Sequence, residues 1–265
     1  MNLFASSTLF WGQSLEEICQ KVQVEQLQGI ELWIEHMTLA NWSIAVIEKA
    51  LQQSGLALTL HARSWDLNIA SLNEEIRQAS VKDVVRALLI AKALDVPSIT
   101  VHPGRKMNAH HPVNLYEVAM QHSLQTLHEA SEKIGVQLSI ELMEHTPKEL
   151  YWKANTLNTL IKQYPTFRTT FDIAHIDIGI SIEQELQQLH AIDKIHISDS
   201  TSLQYHLALG TGELQLTPSL WTMIEQLQVP VVIEGLCYDD TLFQQHLNYL
   251  EKVGVLQREF LSYKR

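Results

Sequence analysis

Short apolar runs rich in β-branched residues recur along this chain, each followed by a longer stretch with apolar positions at helical spacing. The runs at 3–7, 29–34, 57–61, 98–102, 136–142, 168–173, 192–197 and 231–234 predict strands. The stretches at 14–27, 42–54, 74–94, 114–134, 156–163, 182–190, 218–227 and 240–252 predict helices. Local punctuation agrees with this division. Ser14 with Glu17 three residues on is a capping box, which gives the free N–H groups of a first turn their acceptors. Gly55 and Gly135 stand where the second and fourth helices should stop. Pro218 suits a first helical turn, and Pro103-Gly104 marks a turn after the fourth strand.

Eight strands each followed by a helix, with the strands nearly continuous in apolar residues, imply parallel strands buried on both faces. Eight such units in about 250 residues match an α/β fold of the (β/α)₈ TIM-barrel type, with 1–265 as a single domain. A doubly wound open sheet is the alternative, because periodicity does not register closure. No glycine-rich dinucleotide fingerprint follows the first strand, which removes the commonest use of that alternative. No low-complexity tract, linker or block of like charge marks a domain boundary.

Charge narrows the classes of partner. Acidic residues number 30 against 19 basic ones, a formal net charge of −11. This argues against a general nucleic-acid binder and leaves room for a small basic or metal-bearing pocket. Two cysteines, Cys19 and Cys237, cannot form a disulfide framework. The start has no basic segment before Glu16 and Glu17, and no apolar stretch nears the roughly 20 residues of a membrane span. A soluble cytoplasmic protein is expected, with no membrane segment.

Thirteen histidines are the first unusual feature. Three of them fall at predicted strand ends: His61, His102 and His196. Glu141, Asp172 and Glu234 end or nearly end three more strands, and Glu31 lies similarly in the second. One histidine after an apolar run is ordinarily a strand-end residue meeting solvent. Six successive strands ending in His, Asp or Glu are much harder to reach by chance. In a barrel these ends share one mouth, where they form a nitrogen and oxygen ligand set for a divalent metal. Burying so many ionisable groups without a cation would be costly. Glu31 is also suited to orienting a neighbour or pairing with a basic residue.

Further residues extend the constellation. Asp172 and His175 form Asp-Ile-Ala-His, a metal-side pair or simply a capping Asp with an exposed His. His206 precedes Gly210-Thr211-Gly212, whose glycines permit either close backbone approach or an ordinary turn. Arg63, Arg105 and Lys106 follow His61 and His102 and could bind an anion, although solvated loop charges are the default. Trp65 and Asn68 could line a pocket or anchor their loop. His36, His122, His128, His190 and His246 read as ordinary polar positions on helices or early loops, and His110-His111 as solvated. There is no Gly-x-Ser-x-Gly elbow and no P-loop.

These residues resemble the xylose-isomerase-like TIM-barrel superfamily, which includes sugar isomerases, epimerases and endonucleases of the endonuclease IV type. The resemblance spans nearly the whole chain and rests on Gly29-Ile30-Glu31-Leu32, Ile140-Glu141, Phe171-Asp172-Ile173-Ala174-His175, Ile195-His196-Ile197-Ser198-Asp199, Gly210-Thr211-Gly212-Glu213 and Ile233-Glu234-Gly235. The epimerase branch implies one divalent ion, Mn²⁺ or Zn²⁺, on Glu141, Asp172, His196 and Glu234, with His175 against the substrate. The endonuclease IV branch implies up to three zinc ions, adding His61, His102, His175 and His206. That branch places an Asp two residues before the seventh-loop histidine, where this chain has Gln204.

The resemblance implies an isomerase or epimerase of a small sugar or sugar phosphate that works through an enediolate. Glu141 and Glu234 would then be acid–base residues on opposite sides of the sugar, and His175 a third catalytic group. Substrate contacts fall to His61, His102, Arg105, His206 and Trp65. The alternative is an endonuclease IV-like phosphodiesterase acting on abasic-site DNA. Its case rests on His61 and His102, while Gln204 and the acidic charge oppose it. A homo-oligomer is compatible with either.

Overall fold

A computed structural model describes residues 1–257; the remainder of the span expected as one domain, 258–265, lies outside the described residues. Eight parallel strands pair in chain order: β1 (Leu3–Ser6), β2 (Gly29–Trp33), β3 (Ala57–His61), β4 (Ser98–Val101), β5 (Gln137–Glu141), β6 (Phe167–Asp172), β7 (Ile192–Ile197) and β8 (Val231–Ile233). β8 returns to β1 through Leu3↔Val231 and Ala5↔Ile233, so the sheet is a closed barrel and the open-sheet alternative is excluded. The strands form where they do because Leu, Ile, Val and Phe fill both faces: Phe4, Ile30, Leu60, Ile99, Ile140, Phe171, Ile195 and Val232 are all buried.

The helices are α1 (Leu15–Val24), α2 (Ile34–Leu39), α3 (Ile44–Ser54), α4 (Glu74–Ala93), α5 (Asn114–Ile134), α6 (Ala154–Gln163), α7 (Ile182–Gln188), α8 (Pro218–Leu227) and α9 (Thr241–Lys252). The Ser14–Glu17 capping box forms at α1. Gly55 and Gly135 close α3 and α5 in the left-handed conformation. Among the described residues, no helix is long and apolar enough to cross a membrane.

Several details differ from the sequence reading. α2 was not anticipated: it continues the apolar run of β2 without a break, and such a run does not show where extended backbone turns helical. α7 stops at Gln188, leaving His190 beyond it with its N–H on Asn158 Oδ1 at 2.9 Å. His36 and His246 are buried rather than ordinary polar positions. His36 Nδ1 lies 3.1 Å from the Ser7 carbonyl and its ring stacks on Trp11; His246 Nδ1 accepts the Leu209 N–H at 3.3 Å. Burial pushes His246 down to about 3, so it is a neutral acceptor joining α9 to the β7–α8 loop.

That loop is held by Asp199, whose carboxylate accepts backbone N–H groups of Ser200, Gly210, Gly212 and Leu214 at 2.8–3.2 Å. The close approach that the glycines permit is therefore internal. A Cβ on Gly212 would stand 2.3 Å from Asp199 Oδ1 and 2.4 Å from the Ser200 carbonyl. Gly212→Ala is expected to cost roughly 1–3 kcal/mol in urea unfolding. An unchanged midpoint would mean that the loop moves aside freely.

Candidate metal centre

Parallel pairing sends every strand's carboxyl end to the same mouth. His61, Glu141 and Asp172 are the last residues of β3, β5 and β6, and His196 is the penultimate residue of β7. His102 and Glu234 stand one residue beyond β4 and β8. Glu141, Asp172, His196 and Glu234 each offer one ligand atom within 4.8 Å of the others, and all four are buried. Two further groups share members with it: His61, His102 and Glu141 on one side, Asp172, His175 and His206 on the other. The structure thus brings together all eight residues singled out as ligands.

Glu141 is the hub. Its Oε2 lies 3.1 Å from His102 Nε2 and 3.4 Å from His61 Nε2, and its Oε1 lies 3.7 and 3.8 Å from Nδ1 of His175 and His196. Asp172 caps the turn that follows β6, and His175 is buried beside it rather than exposed. Oδ1 accepts the Ala174 N–H at 2.7 Å, and Oδ2 faces His175 Nε2 at 3.5 Å and His206 Nδ1 at 3.9 Å. His175 comes within reach because 173–175 form a 3₁₀ turn directly after β6.

The atoms at the centre lack partners. Asp172 Oδ2, Glu234 Oε2 and His196 Nδ1 are buried with no hydrogen bond among the described residues, although His196 Nδ1 and Glu234 Oε2 are 2.9 Å apart. Each such atom ordinarily costs about 1–3 kcal/mol. A cation among them removes that cost, and nitrogen and oxygen donors without thiolate suit Mn²⁺ or Zn²⁺. The residues fit a divalent ion.

Neighbouring groups fix the ring orientations. His61 Nδ1 lies 2.7 Å from the Ala62 carbonyl and His175 Nδ1 2.9 Å from the Leu142 carbonyl, so each turns Nε2 to the site. His196 is reversed. Its Nε2 sits 3.0 Å from Glu31 Oε1, leaving Nδ1 for the centre. Glu31 does both things anticipated for it, since its Oε2 pairs with buried Lys194 at 2.6 Å. Lys194 was missed, yet a signal existed: it lies two residues before His196 on one strand, and alternation puts both on one face.

The electrostatics reflect the crowding of carboxylates and imidazoles at the mouth. Burial disfavours the charged His196 ring, yet the carboxylates of Glu234 and Glu31 hold its pKa well above the ordinary value. Burial opposes charge on His175 too, but Asp172, Glu141 and Glu144 raise it to about 9. Glu141 is held well below the usual carboxylate range and Glu234 at about 2; burial opposes both shifts, and His102 and His196 respectively overcome it. Burial raises Asp172, its histidine neighbours only partly offsetting that effect.

Above the centre lies a cavity of about 430 Å³, whose walls include Trp33, Trp65, Arg105, Met143, Glu149 and Leu236. Trp65 and Arg105, two of the residues singled out for substrate, stand on its wall. Arg63 is not available: its guanidinium pairs with Asp83 through Nε (2.9 Å) and Nη2. Lys106 is spent on the Ala109 and His111 carbonyls at 2.9 and 3.4 Å. Among the described residues, Arg105 is therefore the one arginine or lysine on the wall. Trp33, stacked on His61 at 3.8 Å, was missed although it shares a face of β2 with Glu31. Glu149 was missed with no signal at all. Burial and then Glu144 push its carboxyl up to about 7.

Comparison with known proteins follows the same lines. The family model described as xylose isomerase-like TIM barrel matches residues 22–258. The chain belongs to that family. It is 31% identical over 224 residues to the uncharacterized protein MJ1614 of Methanocaldococcus jannaschii, covering 81% of this chain and 84% of that protein. The fold is similar to that of a D-tagatose 3-epimerase-like protein, with a TM-score of 0.82 and 22% identity over 96% of this chain and 97% of the other. It is similar as well to an AP endonuclease, family 2, from Brucella melitensis, with a TM-score of 0.73 and 17% identity over 95% and 99% of the two chains.

One position of this xylose isomerase-like barrel departs from the endonuclease pattern. Gln204 is exposed, and its backbone closes a turn with Thr201. Among the described residues, no Asp or Glu of this loop joins the group of Asp172, His175 and His206.

Proposed function

We propose that the protein is a divalent-metal-dependent isomerase or epimerase of a small sugar. The observation that carries this reading is the buried group Glu141, Asp172, His196 and Glu234 at the floor of a cavity of about 430 Å³, room for a monosaccharide. Arg63 and Lys106 are occupied elsewhere, which favours an unphosphorylated substrate over a sugar phosphate. The epimerase-like fold neighbour supports the same chemistry by analogy only.

In this reading Glu141, Asp172, His196 and Glu234 hold the ion. Mn²⁺ or Zn²⁺ there supplies Lewis-acid stabilisation of negative charge developing on the substrate's oxygens. Glu141 and Glu234 are both held far below neutrality and therefore ionised, so either can accept a carbon-bound proton. One takes the proton, becoming a carboxylic acid as the enediolate forms, and returns that proton to the neighbouring carbon in an isomerisation; for epimerisation the other carboxylate would first take up a proton from solvent and deliver it to the opposite face. His175 reaches the substrate side through Nε2, where a protonated ring donates to an enediolate oxygen. Trp33, Trp65 and Leu236 exclude water from one wall, while Arg105 and Glu149 meet hydroxyl groups on another.

A second reading keeps a specific observation in its favour. The two flanking ligand groups would each take a further ion, as a phosphodiesterase acting on abasic-site DNA would need. Parallel assays decide between them: a panel of ketoses and ketose phosphates, and abasic-site DNA, each with Mn²⁺ or Zn²⁺. The expected result is turnover of an unphosphorylated ketose and one ion per chain by elemental analysis. His61→Ala and His102→Ala should then raise KM and leave that ion bound. Incision of abasic DNA with no sugar turnover, and loss of a second ion in those variants, would overturn the isomerase reading.

A further inference from the structure

Beneath the ligand group the barrel holds a second, charged layer where branched apolar side chains ordinarily sit. Lys194 is 1% exposed, and its ammonium donates to Glu31 Oε2 at 2.6 Å, Thr100 Oγ1 at 2.8 Å and the Leu60 carbonyl at 3.2 Å. Three N–H bonds thus meet three acceptors from β2, β4 and β3. The pairing of β7 with β6 shifts register between Thr169 and Thr170, where Thr169 faces Ile192 and Thr170 faces Lys194. This leaves Asp193 outside the pairing and sets the phase in which Lys194 and His196 both face inward.

A methionine or leucine would fill this space without the cost of dehydrating an ammonium and a carboxylate. The pair therefore calls for a reason beyond filling the barrel. That reason lies at the other oxygen of Glu31. Oε1 is 3.0 Å from His196 Nε2, the ring nitrogen turned away from the centre. Among the described residues, the Glu31 carboxylate has beside Lys194 and the close His196 ring one further polar neighbour, Thr59 Oγ1, which donates to Oε2 at 3.1 Å. With Lys194 removed, the carboxylate can swing about its side-chain torsions and the imidazole loses the partner that fixes its rotation.

We infer that Lys194 is a positioning residue for the metal centre: it pins Glu31 so that Oε1 stays on His196 Nε2, and so keeps His196 Nδ1 presented beside Glu234, Glu141 and Asp172. This rests on the reading of that group as a divalent-ion site. Lys194 touches neither ion nor substrate. Its effect passes through two side chains in series, Glu31 and then His196. Partners of this kind behind a metal-bound histidine are worth about 10–100-fold in metal affinity.

The test is a Mn²⁺ titration of the full-length protein, with free Mn²⁺ counted by electron paramagnetic resonance. The variants are Lys194→Met, Glu31→Gln, their double mutant and Thr100→Val. Lys194→Met and Glu31→Gln should each weaken Mn²⁺ binding by about tenfold or more. The double mutant should fall no further than the worse single one, because the two act in series. Thr100→Val, which removes one of three anchors from the ammonium, should lie between wild type and Lys194→Met. A residue that merely plugs the barrel would lower the thermal midpoint of the metal-free protein and leave Mn²⁺ affinity at the wild-type value; that result, or additive losses in the double mutant, overturns the inference. Should Lys194→Met fail to fold, Thr100→Val decides, and wild-type affinity in it is a refutation. If the wild type binds neither Mn²⁺ nor Zn²⁺, the metal reading falls and this one with it. Wild-type binding with an unaffected Lys194→Met sinks this inference alone.

Discussion

Glu141→Gln is expected to lower kcat by about 10³-fold or more and to strip the protein of its ion. No other side chain at the mouth has as many partners in the ligand set: one oxygen faces His61 and His102, the other His175 and His196. The amide removes a negative charge from a group that is fully buried and held well below the usual carboxylate range. It also turns an N–H₂ donor toward nitrogens or an ion that need an acceptor. Loss of acid–base catalysis alone is worth about 10²–10⁴-fold, and loss of the ion adds to it. Turnover and metal content measured on one preparation check this. Wild-type activity would remove Glu141 from the chemistry; low activity with full metal content would keep it as a proton carrier and remove it as a required ligand.

The barrel was legible because the strands are buried on both faces: β8 is Val-Val-Ile throughout, and β4 runs Ile-Thr-Val after its first serine. Closure was not legible, since the pairing of Leu3 with Val231 joins the two ends of the chain. Local sequence carries no trace of such a contact. The site was legible for a related reason. A parallel barrel puts His61, Glu141, Asp172 and His196 at one end of four successive or near-successive strands, so strand-end position stands in for proximity. Much of what escaped depends on loop conformation or long-range pairing. Arg63 and Arg105 look alike in sequence, but Asp83 lies on α4 twenty residues from Arg63 and captures it. Glu149 enters the cavity from an irregular loop, where no periodicity says which way a side chain points. Lys194 was hidden by a different prejudice: a lysine in a strand is taken for a surface residue unless a buried acid is known to await it. Asp199, read only as part of a resemblance, proved to be the pin of its loop through four backbone N–H groups.

Acid should drive the ion out, and the metal-free and metal-loaded proteins should respond oppositely to alkali. His196 is held well above its ordinary pKa by Glu234 and Glu31, against the effect of burial. At neutral pH the metal-free ring therefore carries a proton that an ion must displace. Mn²⁺ affinity should climb about tenfold per pH unit until pH passes that raised pKa. A steeper rise would mean that His175 or His102, also raised, gives up a proton to a second ion. In the metal-free protein the sign for stability is the reverse. Histidines with raised folded-state pKa stabilise fully below their unfolded value of 6.5, and the gain is lost as pH rises, through about 9 for His175. Glu141 and Glu234, lowered in the folded state, stabilise above their unfolded value of 4.5; for Glu234 that gain is lost as pH falls through about 2. Between 6.5 and about 9 the metal-free protein should thus lose thermal stability while the Mn²⁺-loaded protein gains it at fixed free Mn²⁺. Thermal midpoints of both forms across that window check the sign. Parallel curves would show that the histidines at the mouth hold no proton for an ion to displace.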